Sequence, residues 1–365
     1  MTQDSKLQAV SAAHLAHFGH VAAATAFAPG RVNLLGEHTD YNGGYVMPIA
    51  LKDVGVFIAA SHGTPGQIDL LSLTFDTIAS RKIDESRADH WSDYILGCAQ
   101  AVAQDAIAEH GLSLSVDTTL PLGAGLSSSA ALQVCSLRAL VELFGLPLSP
   151  VEIAVAAQKV ENDFVGVPCG IMDQFASSVG TPGDALFLNT RSLDFAVAPG
   201  LPDHAFVVVD SGVSHQLSDG GYATRVKECR AASEALGVRY LSDLTVSDLP
   251  RIVALPEPLN LRARHIVTDN DLTERGLAAL KSGDAEAFGQ LMTESHATER
   301  DNYQITVPET DALAEAAVEF GGLGARQTGG GWGGAVVALV PLSSVDTWTK
   351  RIEDAFAQAK VIAIT

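Results

Sequence analysis

Apolar and polar residues recur with two different periods along this chain, and the two periods predict strands and helices in turn. Residues 112–116 alternate between apolar and polar side chains, which is typical of a half-buried strand. Residues 130–144 are apolar at helical spacing, and Gly145 marks the end of this helix. The pattern predicts a strand, a loop of small residues and then a helix.

The same patterns predict elements along the rest of the chain. Strands are predicted at residues 32–35, 45–51, 185–188, 205–209, 335–340 and 361–365. Helices are predicted at residues 91–110, 151–164, 222–236, 311–320 and 345–358. The sequence Asn42-Gly43-Gly44 suits a turn that joins the first two of these strands.

A change of composition near residue 200 indicates a domain boundary. Residues 198–203 are rich in proline and glycine, and a new strand follows them. We therefore expect an N-terminal domain at 1–203 and a C-terminal domain at 204–365. Clusters of strands and helices of this kind predict an α+β fold, in which each domain has a mostly antiparallel sheet with helices on one face.

Composition and charge narrow the class of protein. The chain has 365 residues, of which 47% are hydrophobic and 18% charged, so it can bury a large core. Its formal net charge of -20 argues against nucleic acid or an anionic membrane as a partner, since both require a basic surface. An acidic surface that aids solubility explains this charge most simply. ATP remains a possible ligand, because backbone amides and magnesium offset a field of the wrong sign.

The cysteines and the N-terminal region favour a cytoplasmic protein. Cys98, Cys135, Cys169 and Cys229 are widely spaced, which fits reduced thiols rather than a disulfide framework. No basic patch leads into an apolar stretch near the N-terminus, so we expect no export.

Two other segments give weaker indications. The uncharged residues 327–345 are too rich in glycine for a membrane-spanning helix. His14, His17 and His20 share one face of a helix, and we expect a solvated surface there rather than a metal site.

The run Pro-Leu-Gly-Ala-Gly-Leu-Ser-Ser-Ser-Ala at residues 121–130 predicts a phosphate-binding loop. Its glycines let the backbone approach an anion, and the helix that follows directs unpaired N–H groups to the same place. The run lacks the Gly-Lys-Ser/Thr of a Walker loop, the third glycine of a dinucleotide fingerprint and the last glycine of a nucleophile elbow. The alternative is a small-residue turn that merely caps a core helix.

Residues 28–41 carry a dense polar set directly after a buried strand. Arg31, Glu37, His38 and Asp40 fall within ten residues of one another. Carboxylates and an imidazole suit the vicinal hydroxyls of a sugar. The alternative, the solvated end of a hairpin, explains the acids but not the whole set.

Residues 161–174 place two acids at opposite ends of a passage from helix to loop. Glu161, together with a hydroxyl of the phosphate loop, is a reasonable magnesium site, because this ion takes oxygen ligands. Asp173 lies next to Ile171 and Met172, so it is partly desolvated and suits a proton acceptor. Either acid, considered alone, could simply cap a helix.

Residues 324–334 form a glycine-rich segment that leads directly into a strand. So many glycines indicate a close approach of backbone, either to the phosphate loop or to the substrate. A flexible linker is the alternative, but the strand follows without a gap.

These segments, in this order, resemble the galactokinase family, within the superfamily of small-molecule kinases that also includes homoserine, mevalonate and phosphomevalonate kinases. Gly-Arg-Val-Asn-Leu-Leu-Gly-Glu-His-Thr-Asp-Tyr-Asn at residues 30–42 is the most specific part. Thr39 resembles the residue of galactokinases at this position, whereas N-acetylgalactosamine kinases tend to carry an apolar residue there. The resemblance implies a two-domain kinase fold with a ferredoxin-like second domain and an active site in the cleft between the domains.

The resemblance also implies a role for each matching residue. Arg31 and Asp173 would be the catalytic pair. The galactose contacts would be Glu37, His38, Asp40, Gly170 and Tyr222. ATP would be held by Gly123, Ala124, Gly125, Leu126, Ser127, Ser128, Ser129 and Ala130, with Trp91 and Tyr94 beside adenine. Ser129 and Glu161 would bind magnesium, whereas Trp91 and Tyr94 could equally be core aromatics.

The implied reaction is transfer of the ATP γ-phosphoryl group to the C1 hydroxyl of α-D-galactose, which begins galactose breakdown. In a loose transition state the hydroxyl loses its proton late, so Asp173 would position and accept it while Arg31 offsets charge. The alternatives are a kinase that phosphorylates C1 of N-acetylgalactosamine or of a related sugar, and a non-catalytic sensor of galactose and ATP. A nicotinamide dehydrogenase would need a fingerprint that is absent. We expect a monomer.

Overall fold

The computed structural model describes residues 2–121, 123–213 and 220–365, so Leu122 of the predicted phosphate loop lies outside the described residues. The helices are α1 (Gln3–Phe18), α2 (Asp93–Val102), α3 (Gln104–His110), α4 (Ser128–Phe144), α5 (Pro150–Lys159), α6 (Met172–Val179), α7 (Gly221–Leu236), α8 (Leu249–Ile252), α9 (Leu259–Ser282), α10 (Ala285–Thr298), α11 (Pro308–Glu319) and α12 (Val345–Ala355). The strands are β1 (Ala24–Asn33), β2 (Tyr45–Val46), β3 (Pro48–Ser61), β4 (Gln67–Ser72), β5 (Thr77–Lys82), β6 (Leu112–Thr118), β7 (Ala185–Asn189), β8 (Phe195–Ala198), β9 (His204–Asp210), β10 (Gly324–Thr328), β11 (Ala335–Pro341) and β12 (Lys360–Ile364).

The chain forms two compact units, each made of several segments. The first unit consists of residues 1–30, 51–120 and 127–179, and the second of residues 31–50, 121–126 and 180–365. Each unit combines strands and helices, so the predicted α+β fold is confirmed.

The first unit contains a mixed sheet with helices that begin and end at clear sequence features. Residues 56–61 of β3 pair antiparallel with β6, β6 pairs parallel with β4, and β4 pairs antiparallel with β5. Helix α5 begins with a capping box, in which Ser149 and Glu152 satisfy each other's backbone N–H groups. Helix α4 ends at Gly145, whose φ of 64° is left-handed.

The second unit contains an antiparallel sheet in the order β10-β11-β9-β12. Its buried valines and alanines pack with Leu313 and Ala317 of α11 and with Trp348 and Ile352 of α12. The indole of Trp348 donates to the carbonyl of Ala317 over 2.8 Å, which satisfies its one polar atom inside this core. Strands β2, β7 and β8 also pair antiparallel in this unit.

Several predicted elements differ from the observed ones. The predicted helix at 91–110 is wrong as a single helix, because α2 and α3 are separated at Ala103, where φ is -137°. The predicted helix at 151–164 is α5 followed by a π-helix at Val160–Val165. The predicted strand at 32–35 starts earlier and ends at Asn33.

The histidine trio was expected to be solvated, and this is wrong for His14. Its ring is fully buried in the first unit, and its two nitrogens lie 3.1 Å from the hydroxyl of Ser115 and 2.9 Å from that of Ser61. His17 and His20 are exposed. The described part of the chain contains no cluster of three or more His, Cys, Asp or Glu residues that could hold a metal ion.

All four cysteines are free thiols, as expected. Within the described residues, no helix has both the length and the apolar character required to cross a membrane.

Candidate active site

The predicted phosphate loop leads directly into α4. Ser127 precedes the helix with a φ of 62°, a left-handed conformation that is uncommon for serine. The side chain of Ser127 makes no capping hydrogen bond to the first turn of α4, and the N–H groups and dipole of a helix start favour an anion. The local geometry therefore fits phosphate.

Ser127 instead donates its hydroxyl to Asp173. The two side-chain oxygens, Oγ and Oδ2, are 2.7 Å apart. Asp173 lies in the first turn of α6 and is half-buried. The first unit thus places the predicted proton acceptor beside the start of the phosphate-loop helix.

Glu161 and Ser129, the predicted magnesium ligands, are hydrogen-bonded to each other in the first unit. Gln174 also donates to the carboxylate of Glu161 over 2.7 Å. Burial, together with the neighbouring charge of Asp173, raises the pKa of Glu161 to about 7. A carboxylate in this state would be stabilised by a cation.

The predicted adenine contacts lie at the start of α2. Trp91 is half-buried, with its ring 6.5 Å from that of Phe75 and 5.5 Å from that of His90. Burial raises the pKa of Tyr94, and the charge of Glu161 adds to this shift. Tyr94 is therefore electrostatically coupled to the candidate magnesium site.

Arg31, at the end of β1, contacts the phosphate loop within the second unit. Its Nη1 donates to the carbonyl of Gly125 over 2.8 Å, and its backbone N–H donates to Leu126 over 3.3 Å. Arg31 is 4% exposed. A fixed cation therefore lies against the loop that is predicted to hold phosphate.

The glycine-rich segment packs on the same loop, as one of its two interpretations predicted. A Cβ atom on Gly329 would lie 2.8 Å from the carbonyl oxygen of Gly125. The close approach of the two backbones requires glycine there.

The predicted sugar contacts Glu37, His38 and Tyr222 lie in the second unit. The ring of His38 is 5.0 Å from the ring of Tyr222, and its Nδ1 is 2.8 Å from the hydroxyl of Tyr41. Glu37 is 2% exposed, and its Oε2 accepts from Asn33 over 3.2 Å.

Asp40 and Gly170 complete the predicted sugar contacts. Asp40 is half-buried in a short 3₁₀ turn, where its carboxylate accepts from the backbone of Tyr41 over 2.9 Å. Gly170 belongs to the first unit and is buried just before α6.

Three residues around the sugar segment were not predicted. Arg326 of β10 forms ion pairs with Glu37 and Glu299. The ring of Tyr303 lies 5.0 Å from that of His38. Arg326 lies in the glycine-rich segment, which the sequence identifies as a motif, but the pattern of glycines gives no role to the charge of this arginine.

Three family models match separate parts of the chain. The model described as GHMP kinases N terminal domain matches residues 93–181, that described as galactokinase galactose-binding signature matches residues 12–62, and that described as GHMP kinases C terminal matches residues 277–358. The curated galactokinase of Streptomyces coelicolor is 40% identical over 342 residues, which cover 91% of this chain and 88% of that protein. The chain belongs to the galactokinase family.

A second curated relative and two solved structures are also similar to the chain. The galactokinase of Thermococcus kodakarensis is 37% identical to this galactokinase-family chain over 333 residues, covering 91% of this chain and 93% of that protein. The crystal structure of Lactococcus lactis galactokinase complexed with galactose has a TM-score of 0.91 at 30% identity, covering 99% of both chains. Methanococcus jannaschii mevalonate kinase, at 20% identity and a TM-score of 0.69, shares the fold over 90% of this chain and 94% of that one.

Proposed function

We propose that this chain is a galactokinase, which transfers the γ-phosphoryl group of ATP to the C1 hydroxyl of α-D-galactose and releases galactose 1-phosphate and ADP. The observation that carries the proposal is the contact between Ser127 and Asp173. It places a carboxylate, the proton acceptor that a sugar hydroxyl requires, at the start of a helix whose first turn suits phosphate. Membership of the galactokinase family supports galactose as the sugar.

The nucleotide is assigned to the phosphate loop and the start of α2. Residues 123–130 hold the phosphates through backbone N–H groups and the dipole of α4. Trp91 and Tyr94 contact adenine.

Ser129 and Glu161 fit a magnesium ion. Both supply oxygen, the donor that this ion prefers, and the raised pKa of Glu161 indicates a carboxylate in need of a cation. Bound magnesium supplies positive charge for the phosphate oxygens.

The sugar is assigned to Glu37, His38, Asp40, Gly170 and Tyr222. Carboxylates and an imidazole hydrogen-bond to sugar hydroxyls and so reject analogues that lack them. Thr39 has a different task, because its buried hydroxyl donates to the carbonyls of Gly36 and Tyr45 over 2.8 and 2.6 Å.

In the transfer itself, the sugar O1 attacks the γ-phosphorus as the bond to the ADP oxygen breaks. The O1 proton passes late to Asp173, and the guanidinium of Arg31 offsets the negative charge that develops on the phosphoryl oxygens. Ser127 fixes the direction of the acceptor carboxylate.

A substrate panel tests the proposal. Release of ADP from ATP is measured with galactose, glucose, N-acetylgalactosamine, mevalonate and homoserine, each with and without the chain. We expect turnover with galactose above all others. Turnover confined to mevalonate or homoserine would refute a sugar substrate, and preference for N-acetylgalactosamine would reassign the sugar.

The variant Asp173→Asn separates an enzyme from a non-catalytic sensor of galactose and ATP. It keeps the shape of the side chain but cannot accept the proton, so we expect kcat to fall by about 10²–10⁴-fold while both ligands still bind. Near-normal turnover in this variant would show that Asp173 is not the proton acceptor. A wild-type chain that binds both ligands without releasing ADP would be a sensor.

We further propose that the enzyme acts as a cytoplasmic monomer without nucleic-acid or membrane partners. The domain boundary near residue 203 and the ferredoxin-like form of the second domain also stay predictions.

A further inference from the structure

One guanidinium in the second unit is shared by two buried carboxylates. Arg326 of β10 is fully buried, and its Nη2 lies 3.1 Å from Oε2 of Glu37 and contacts Oε1 of Glu299. Glu37 and Glu299 are 2% and 0% exposed. Charges buried this deeply stabilise one another, because removal of the arginine would leave two carboxylates desolvated without their cation.

The backbone of Glu37 is held as firmly as its side chain. Its N–H donates to Asp269 over 2.7 Å, and its carbonyl accepts from Nε2 of His265 over 3.0 Å, both on α9. Glu37 is therefore fixed by residues of β1, α9 and β10 before any ligand arrives.

We propose that Arg326 is a positioning residue for sugar recognition, which together with Glu299 sets the direction and the charge of the Glu37 carboxylate that galactose meets. This inference rests on the proposed function, in which Glu37 binds galactose. Because Arg326 contacts the carboxylate of Glu37, its effect on galactose binding is transmitted through Glu37.

The electrostatics of the cluster agree with this role. Burial, against the opposing charge of Arg326 and together with the charge of Glu299, raises the pKa of Glu37 to about 8. Arg31 and the amide of Asn33 also oppose the rise, whereas His296 faces Glu299 at 3.5 Å. The share of ionised Glu37 near neutral pH thus depends on the balance between Arg326 and Glu299.

An ionised Glu37 presents only acceptors to the hydroxyls of a sugar, whereas the protonated form loses one acceptor. We therefore expect the KM for galactose in the wild-type enzyme to fall as pH rises through about 8. The KM for ATP should not follow this profile.

Two substitutions should move the profile in opposite directions. Arg326→Gln removes the stabilising cation, so the profile should move to higher pH and the galactose KM at pH 7.5 should rise on the order of tenfold. Glu299→Gln removes the competing carboxylate, so the profile should move to lower pH by about one unit. Arg326→Lys should lie close to wild type, because a single nitrogen, Nη2, makes both contacts.

Arg262→Gln is the matched control. Arg262 is another buried arginine of the second unit and pairs with Glu228 over 2.7 Å. Its loss should lower thermal stability while leaving the pH dependence of the galactose KM unchanged. A merely structural Arg326 would behave like this control, with less folded enzyme and an unmoved profile.

The outcomes separate the inference from the proposed function. If wild type releases ADP with galactose but Arg326→Gln keeps the wild-type profile, the inference is wrong and the function stands. If Arg326→Gln does not fold, the test rests on Glu299→Gln. The inference is then overturned if the pH profile of the galactose KM in Glu299→Gln stays in place or moves to higher pH. If wild type shows no galactose-dependent ADP release, both are overturned.

Discussion

The contact between Ser127 and Asp173 allows a test in which activity and stability should separate. The variants Ser127→Ala and Ser127→Gly both remove the hydroxyl that lies 2.7 Å from the carboxylate. A hydrogen bond to a charged group contributes about 1.5–3 kcal/mol. If this bond orients Asp173 in the transition state, both variants should lose about 10–100-fold in kcat at saturating ATP and galactose.

The two variants should differ in stability because of the backbone. Ser127 has a φ of 62°, and a left-handed conformation costs a residue with a Cβ roughly 1–2 kcal/mol. Glycine relieves that strain, although it gains freedom in the unfolded chain, whereas alanine retains the strain. We therefore expect the glycine variant to be about 1 kcal/mol more stable than the alanine variant.

Coupled ADP release and urea unfolding measure the two quantities on the same preparations. Equal losses of kcat together with unequal unfolding midpoints would support the orienting hydroxyl. The reasoning is refuted if the glycine variant keeps wild-type turnover, or if kcat in the two variants follows their stability.

Three further predictions concern separate parts of the chain. Burial lowers the pKa of His14 in the folded chain to about 4, so as pH falls below about 6.5 the unfolded chain binds a proton at this residue and the folded chain does not. The wild type therefore loses about 2 kcal/mol of unfolding free energy between pH 7.5 and 5 through His14, and the variant His14→Gln should not show this loss. Gly36 has a φ of 87°, and a Cβ atom there would collide with the carbonyl oxygen of Tyr45 and lie 2.9 Å from the Cα of Val46. Gly36→Ala should therefore lower the free energy of unfolding, measured with urea, by about 3 kcal/mol. The control Gly19→Ala, at a φ of 79° with open space around it, should cost only about 1 kcal/mol, and equal losses would contradict the steric argument. Glu161→Gln should raise the magnesium concentration for half-maximal activity by about tenfold or more, and an unchanged magnesium titration would remove Glu161 from the metal site.

The elements that sequence alone predicts well have local causes. Helix α4 was predicted at 130–144 and is observed at Ser128–Phe144, because its apolar period and its terminal glycine lie within the element itself. The strand at 335–340 is likewise observed at Ala335–Pro341. Most of the candidate site residues stand in compact motifs of the sequence, whereas Trp91, Tyr94 and Tyr222 are assigned only from the resemblance to galactokinases.

Helix α9 shows where this reasoning fails. It extends over Leu259–Ser282, yet its buried face carries Arg262, His265, Asp269 and Thr273. Apolar periodicity is a weak signal for a helix whose buried face mixes polar with apolar residues. Those side chains are buried because partners elsewhere in the chain satisfy them, as Thr298 does for His265 over 2.6 Å.

Distance along the sequence explains the remaining failures. Arg326 pairs with Glu37, which lies 289 residues away in the chain. The partners of His14 are 47 and 101 residues away. No local pattern encodes such pairs, so Arg326 was identified as part of a glycine-rich segment and His14 as a surface residue.

The segment at residues 30–42 divides into scaffold and candidate ligand contacts, which its density of polar residues had concealed. The amide of Asn33 bonds to Glu37, the hydroxyl of Thr39 to two carbonyls of its own turn, and the amide of Asn42 to the carbonyl of His38 over 2.9 Å. Buried amides and hydroxyls must be paired, and here they pair with the turn itself. Crowded polar residues after a strand therefore indicate two things at once, namely a ligand and the framework that holds its contacts. Because the framework residues are fully engaged, their loss should act first on the stability of the turn, whereas changes at His38 should act first on galactose.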